Sequence, residues 1–294
     1  MNNFKCFAVF ITLIVMVFFV RNQVYCQTPS ADATFDSLIV ETDTAEQLEA
    51  TFLHLPMQAR RLTGPLFWLH GDESPEHLAE YVDIVAQGGN GCFTAESRPH
   101  NDWLGEGWFR DLDICLEAAK KNDLQMWIFD ERWWPSGEVG GKVPEQYASK
   151  KMVATATPVN AERNVAIDVP SNKLIAVLAG QKNAEGNILG DSIVDLTELV
   201  TDGKLTWKAP SDDWAVMVFT CESVEWRGHY LVDGASRDAV DWYIESVYQP
   251  HYDRFPEDFG KSIVGYFYDE PETPGDWGTE VIPMLVERGI DWHK

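Results

Sequence analysis

The feature that most constrains this chain is a recurring unit. A short apolar run is followed by a polar, acid-bearing turn and then by a stretch with apolar residues at helical spacing. Leu66-Phe67-Trp68-Leu69 leads into His70-Gly71-Asp72. Ser74-Pro75-Glu76 has the form of an N-cap, an N1 proline and an early acid, which predicts a helix to about Ala86, stopped at Gly88-Gly89. Gly91 to Ala95 reads as a second strand, and Gln125 to Phe129 as a third. Between them a helix from about Trp108 to Lys121 carries Leu112, Cys115, Leu116 and Ala119 at helical spacing. Further on, Ser236 can cap a helix bearing Val240, Ile244 and Val247 that ends before Phe255-Pro256. Ile263 to Tyr268 is a fourth strand, and a last helix runs from about Glu280 to Arg288. Repeated β–α units with short αβ turns call for a parallel sheet with helices outside. The expected fold class is α/β: a partial TIM (β/α)8 barrel, its first four β–α units, with an inserted small all-β domain.

The insertion is signalled by a change of pattern. Val153 to Thr157, Val165 to Val169, Leu174 to Leu178, Ile193 to Leu196 and Trp214 to Phe219 read as strands, separated by polar turns such as Asn183-Ala184-Glu185-Gly186. The expected organisation has a signal peptide over 1–26 and a linker with a short helix over 27–55. The first part of the barrel comes next over 56–151, then a β-sandwich-like insert over 152–226, and the barrel's continuation over 227–294, where it is truncated. The insert lies between the third strand and its helix, so it should rise from the barrel's active-site face.

The signal reading rests on Lys5 followed by Phe7 to Val20, an apolar run broken only by Thr12 and ended by Arg21 and Asn22. The run is short for a membrane span, so an exported, periplasmic or extracellular protein is expected, with an uncleaved N-terminal anchor as the alternative. Of the five cysteines, Cys6 and Cys26 belong to that segment. Cys92, Cys115 and Cys221 show neither metal spacing nor a paired framework, and read as buried free thiols.

A formal net charge of −24 argues against nucleic acid and anionic membranes as partners. The 12 tryptophans suit a carbohydrate partner, because a pyranose can lay its C–H face on an indole, although most indoles in any chain serve packing.

In a parallel β–α barrel, catalytic groups sit at the C-terminal ends of strands. The first strand ends in His70-Gly71-Asp72, the second in Glu96-Ser97-Arg98, the third in Asp130-Glu131-Arg132-Trp133-Trp134 and the fourth in Asp269-Glu270. Glycoside hydrolysis usually needs two carboxyl groups across the scissile bond, and crowding acids in a dry site raises one pKa toward a proton donor's. Glu131 and Glu270, each the second residue of an Asp-Glu step after a strand, are the expected catalytic pair. His70, Asp72, Glu96, Arg98, Asp130, Trp133, Trp134 and Asp269 are the expected substrate-binding residues. Each has a plainer alternative as an ion-pair partner, a solvated rim group or a packed indole. Asp72, Asp130 and Asp269 are hard oxygen donors of the kind Ca²⁺ takes, without a specific spacing.

The run Phe129-Asp130-Glu131-Arg132-Trp133-Trp134-Pro135-Ser136-Gly137, with Gly140-Gly141-Lys142 after it, resembles the Tyr-Asp-Glu…Trp-Pro-Ser-Gly…Gly-Gly segment of glycoside hydrolase family 106, the bacterial α-L-rhamnosidases. Phe67 to Asp72 resembles the family's first-strand motif, and Arg98-Pro99 its Arg-Pro after the second strand. Gly265 to Pro271 resembles its Thr-Asp-Glu-Pro strand end, with Tyr268 in place of Thr. The resemblance implies a calcium-assisted, inverting α-L-rhamnosidase acting on a polysaccharide, its carboxyl groups roughly 6.5–9.5 Å apart with water between. Family members are far longer, so the chain reads as the N-terminal part of such a catalytic barrel. The alternatives are a non-catalytic carbohydrate-binding protein and an inactive truncated gene product.

Overall fold

The computed structural model describes residues 42–161, 164–170, 172–272 and 274–292. The signal-peptide reading and the linker as far as residue 41 lie outside the described residues. Two compact units divide between Thr63 and Gly64. In the first, Thr44 and Gln47 close a capping box on helix α1 (Ala45–Leu53), and α2 (Met57–Arg60) comes after it.

The second unit contains a sheet of four parallel strands in chain order: β1 (Leu66–Leu69), β2 (Cys92–Ser97), β3 (Gln125–Phe129) and, after the insertion, a last strand. Helix α3 (Pro75–Gln87) links the first two strands, with Ser74 accepting the His77 N–H as its cap. Helix α4 (Glu106–Lys121) links the next two.

The insertion begins with β4 (Lys150–Val159), β5 (Asn164–Asp168), β6 (Leu174–Gln181) and β7 (Val194–Asp195). It continues with β8 (Val200–Thr201), β9 (Lys204–Lys208) and β10 (Trp214–Ser223). These form two antiparallel sheets, β4-β10-β6-β7 and β5-β9-β8. Val177, Val216 and Val218 from one sheet pack with Leu205 from the other, and Val165 and Ile167 lean on the same cluster. A small hairpin of β11 (Glu225–Trp226) and β12 (His229–Tyr230) comes next. Neither β8–β9 nor this hairpin is expected from the sequence.

The chain then returns to the parallel sheet through α5 (Arg237–Tyr243), a π-helical turn over Ile244–Tyr248, and α6 (Gln249–Arg254). The expected single helix widens here because Pro250, at the start of α6, has no N–H to donate to the preceding turn. The fourth parallel strand is β13 (Ile263–Phe267), and α7 (Val281–Glu287) ends the described elements. Among the described residues no helix is long and apolar enough to cross a membrane.

Side chains alternate across the parallel strands. Phe93, Ala95, Met126 and Ile128 face the helices and pack with Leu78, Val82, Leu112, Leu116 and Val247. The opposite face carries Trp68, Glu96 and Phe129. No second helix layer covers this face among the described residues, and Trp68 is 53% exposed and Trp127 36%. Cys92 and Cys115 are buried and Cys221 is half-buried, all three free.

Candidate active site

Strand register assembles the floor of the site. Trp68 on β1 pairs with Glu96 on β2, and Phe129 on β3 pairs with Phe267 on β13. Ala95 opposite Ile128 sets Glu96 beside Phe129, so one row runs across all four strands near their C-terminal ends. Arg98 folds back over this row. Its guanidinium pairs with Glu96, lies 3.5 Å from Asp269 Oδ2, and sits 5.1 Å from the centre of the Phe129 ring and 5.7 Å from that of Trp68. One cation therefore touches residues contributed by every strand. Glu96 is fully buried; burial pushes its carboxyl above the ordinary value, Arg98 pulls it down and Asp269 pushes it up.

The end of β3 is closed in on itself. Asp130 is buried, its carboxylate accepting from the Ser136 hydroxyl at 2.6 Å and from the Tyr248 hydroxyl. Burial raises its pKa against those hydrogen bonds. Glu131 is also fully buried, and its carboxylate accepts three backbone N–H groups: Arg132 at 2.7 Å, Val139 at 2.6 Å and Gly140 at 2.6 Å. Burial pushes Glu131 up to about 8, although all three amides pull the other way.

The loop that wraps Glu131 then reaches β13. Ser136 donates its N–H to the Asp269 carbonyl at 3.1 Å, and its hydroxyl accepts the Asp269 N–H at 2.9 Å. Trp134 donates its indole N–H to Glu270 at 3.0 Å. Asp269 is half-buried, whereas Glu270 is exposed on a backbone of φ +40°. Trp133, 47% exposed, turns outward. The β11–β12 hairpin lies against the same loop, with the Arg227 guanidinium 5.2 Å from the Trp134 ring and 5.1 Å from that of Trp226. Beneath the hairpin, His229 approaches the buried Glu138 at 3.7 Å, and burial raises the Glu138 carboxyl.

At the end of β1 a separate turn forms. Glu73 accepts the N–H groups of His70 at 3.0 Å and Gly71 at 2.9 Å, and its Oε1 lies 2.9 Å from His70 Nδ1. Gly71 has φ +88°, and a Cβ there would stand 2.7 Å from the His100 ring, so the turn needs glycine. One donor atom each from His70, Asp72 and Glu73 lies within 4.8 Å of the others, a grouping that could hold a metal ion.

The expected residues thus divide into groups. Glu96, Arg98 and Asp269 meet directly, and Trp134 meets Glu270. Asp130 and Glu131 are turned into the protein and hold the loop. His70 and Asp72 form their own turn with Glu73. Sequence reading misses Ser136, Tyr248, Phe129 and Arg227. Ser136 and Phe129 stand inside the quoted motif, but nothing in the local sequence marks Tyr248, 118 positions beyond the aspartate it holds.

Four parallel strands, a helical layer and antiparallel sheets make a mixed α/β protein, and its fold is similar to that of part of a solved rhamnosidase. One such solved structure is a rhamnosidase from Novosphingobium sp. PP1Y, with a TM-score of 0.60 and 14% identity over 85% of this chain and 42% of that one. The chain therefore spans less than half the length of that protein. No family model and no curated protein matches the chain.

Proposed function

We propose that the chain is the first part of the (β/α)8 catalytic barrel of an exported glycoside hydrolase, an α-L-rhamnosidase of the family 106 type. The observation that carries this reading is the meeting of all four strand ends at Arg98, which gathers two acids, an indole and a phenyl ring at the face where barrel enzymes keep their chemistry. On this reading the uncovered sheet face bearing Trp68 and Trp127 corresponds to a barrel's interior.

Glu270 is the carboxyl group we assign to the glycosidic bond. It is exposed at a strand end, and the Trp134 N–H fixes one of its oxygens at 3.0 Å. Trp133 and Trp68 offer faces on which a sugar ring can stack. Asp269 and Arg98 supply hydrogen bonds to hydroxyls. Burial gives Glu131 the raised pKa of a proton donor, but its geometry opposes that role, because both oxygens face amide donors and no part of it is exposed. In an inverting reaction the opposing carboxyl group, with its water, stands roughly 6.5–9.5 Å from the first.

The family resemblance implies calcium, but the donors present do not fit it. Both Asp130 oxygens are already taken by hydroxyls, and the trio at the end of β1 contains an imidazole, so the donors here make a poor oxygen cage and no step is routed through a metal.

The test is hydrolysis of a glycan panel that includes aryl and disaccharide α-L-rhamnosides, by this chain and by Glu270→Gln. Hydrolysis of rhamnosides by the parent and its loss in the variant is the expected result. Equal activity in both removes Glu270 from the mechanism.

A further inference from the structure

We propose that Glu131 is a positioning residue whose carboxylate shapes the loop over residues 132–140 and, through it, sets Asp269 and Glu270. The proposal rests on the assignment of Glu270 given above and adds a second role to the site.

The geometry begins with the loop's backbone. Val139, Gly140 and Gly141 have φ values of +52°, +61° and +78° in succession. A β-branched residue in the left-handed region is a steric outlier, so Val139 needs compensation. Its N–H and that of Gly140 both point at the Glu131 carboxylate, at 2.6 Å each. Consecutive amides that converge in this way form an anion-binding hollow, and here the anion is supplied by the chain itself. The Arg132 N–H, at 2.7 Å, completes the set. Bonds this short to a carboxylate are the strong, charge-assisted kind.

The held loop then makes three hydrogen bonds to the end of β13, two between Ser136 and Asp269 and one from Trp134 to Glu270. A chain of contacts thus runs from Glu131 to Glu270 without Glu131 facing the substrate side. Glutamine cannot replace this carboxylate, because its NH2 would confront an N–H. Aspartate is one methylene short of amides eight and nine residues away.

A positioning role and a proton-donor role leave different signatures. The experiment compares the full chain with Glu131→Gln on an aryl rhamnoside and on a rhamnosyl disaccharide. An aryl group as acidic as nitrophenol, the one used here, departs without protonation; the disaccharide's leaving sugar does not. Displacement of a reactive group by about 1 Å costs on the order of 100-fold, so Glu131→Gln should lose activity by a similar large factor on both substrates, keeping both limbs of its pH profile. Ser136→Ala, which leaves Glu131 intact and cuts two links to the Asp130–Asp269 pair, should show a smaller loss, again shared by both substrates. Selective loss on the disaccharide in Glu131→Gln, or unchanged kinetics in Ser136→Ala, overturns the proposal.

Hydrogen exchange supplies a readout that needs no turnover. The Val139 and Gly140 amides should be strongly protected in the parent and in Glu270→Gln, and should exchange at least about tenfold faster in Glu131→Gln. Fast exchange of these amides in the parent overturns the proposal even if Glu131→Gln fails to fold. Protected amides in a chain that hydrolyses no glycoside leave the loop device standing and sink the hydrolase reading instead.

Discussion

Just beyond β3 and β13 the chain carries the same dipeptide, Asp130-Glu131 directly after Phe129 and Asp269-Glu270 one residue further on after Tyr268, and treats it in opposite ways. At β3 both side chains are buried and fully engaged with hydroxyls and amides. At β13 the aspartate is half-buried beside Arg98 and the glutamate stands in the open, held by one indole N–H. The difference arises in the residues just downstream of each dipeptide. After Glu131 a loop rich in positive-φ residues curls back over the carboxylate, whereas after Glu270 comes Pro271. A strand-end acid is thus made structural or solvent-facing by the next ten residues, and the dipeptide alone does not decide.

The largest test of that contrast is catalytic. On the proposed function, Glu270→Gln should lower kcat on rhamnosides by on the order of 100- to 10,000-fold while the thermal midpoint stays within about 1 °C of the parent. A large drop in midpoint would mean that the open carboxylate also holds the fold.

Next in size comes the converse. Glu131→Ala strands three amides, one buried and two partly so, which should cost about 3 kcal/mol and lower the midpoint by roughly 6–12 °C in calorimetry. A midpoint within about 2 °C of the parent would show that the loop keeps its shape without the carboxylate.

A gentler effect comes from protons. Glu96, Asp130 and Glu138 are all raised by burial. The folded state therefore holds protons that the unfolded chain releases in the ordinary carboxylate range. Stability from these groups is fully present below that range and declines as pH rises through it. Urea titrations at successive pH values should show the decline, with a shallower slope in Glu96→Gln; a rise in stability over this window would contradict it.

The smallest expected effect is that of Trp134→Phe. It removes the single bond to Glu270 and should lower kcat/KM by about 2- to 10-fold, with no change in folding. A loss as large as that of Glu270→Gln would make the indole a catalytic partner.

Much of the fold is legible in the sequence because the strands of the parallel sheet are largely apolar and some helix starts have side-chain caps. Ser74 and Ser236 both cap as their positions suggest, and Gln125–Phe129 is a strand from end to end. Strand β8 and the hairpin strands are invisible, since two residues give no period to read, and β9, Lys204–Lys208, begins and ends on a lysine and lacks the apolar run that marks β1 and β3. The acids of the site can also be found from sequence, but their environments cannot. Glu131 is defined by main-chain amides, and every residue type except proline has one. Asp130 is defined by a hydroxyl from a distant helix.

Arg98 has a wider consequence. Its guanidinium rests on two rings and between two acids drawn from the whole width of the sheet. Any substitution that slides one strand against its neighbour, however deep in the helical layer, changes the balance of charge that Glu96 and Asp269 share through it. Variation far from the rim can therefore retune the acidity of the pocket without altering a single residue that lines it.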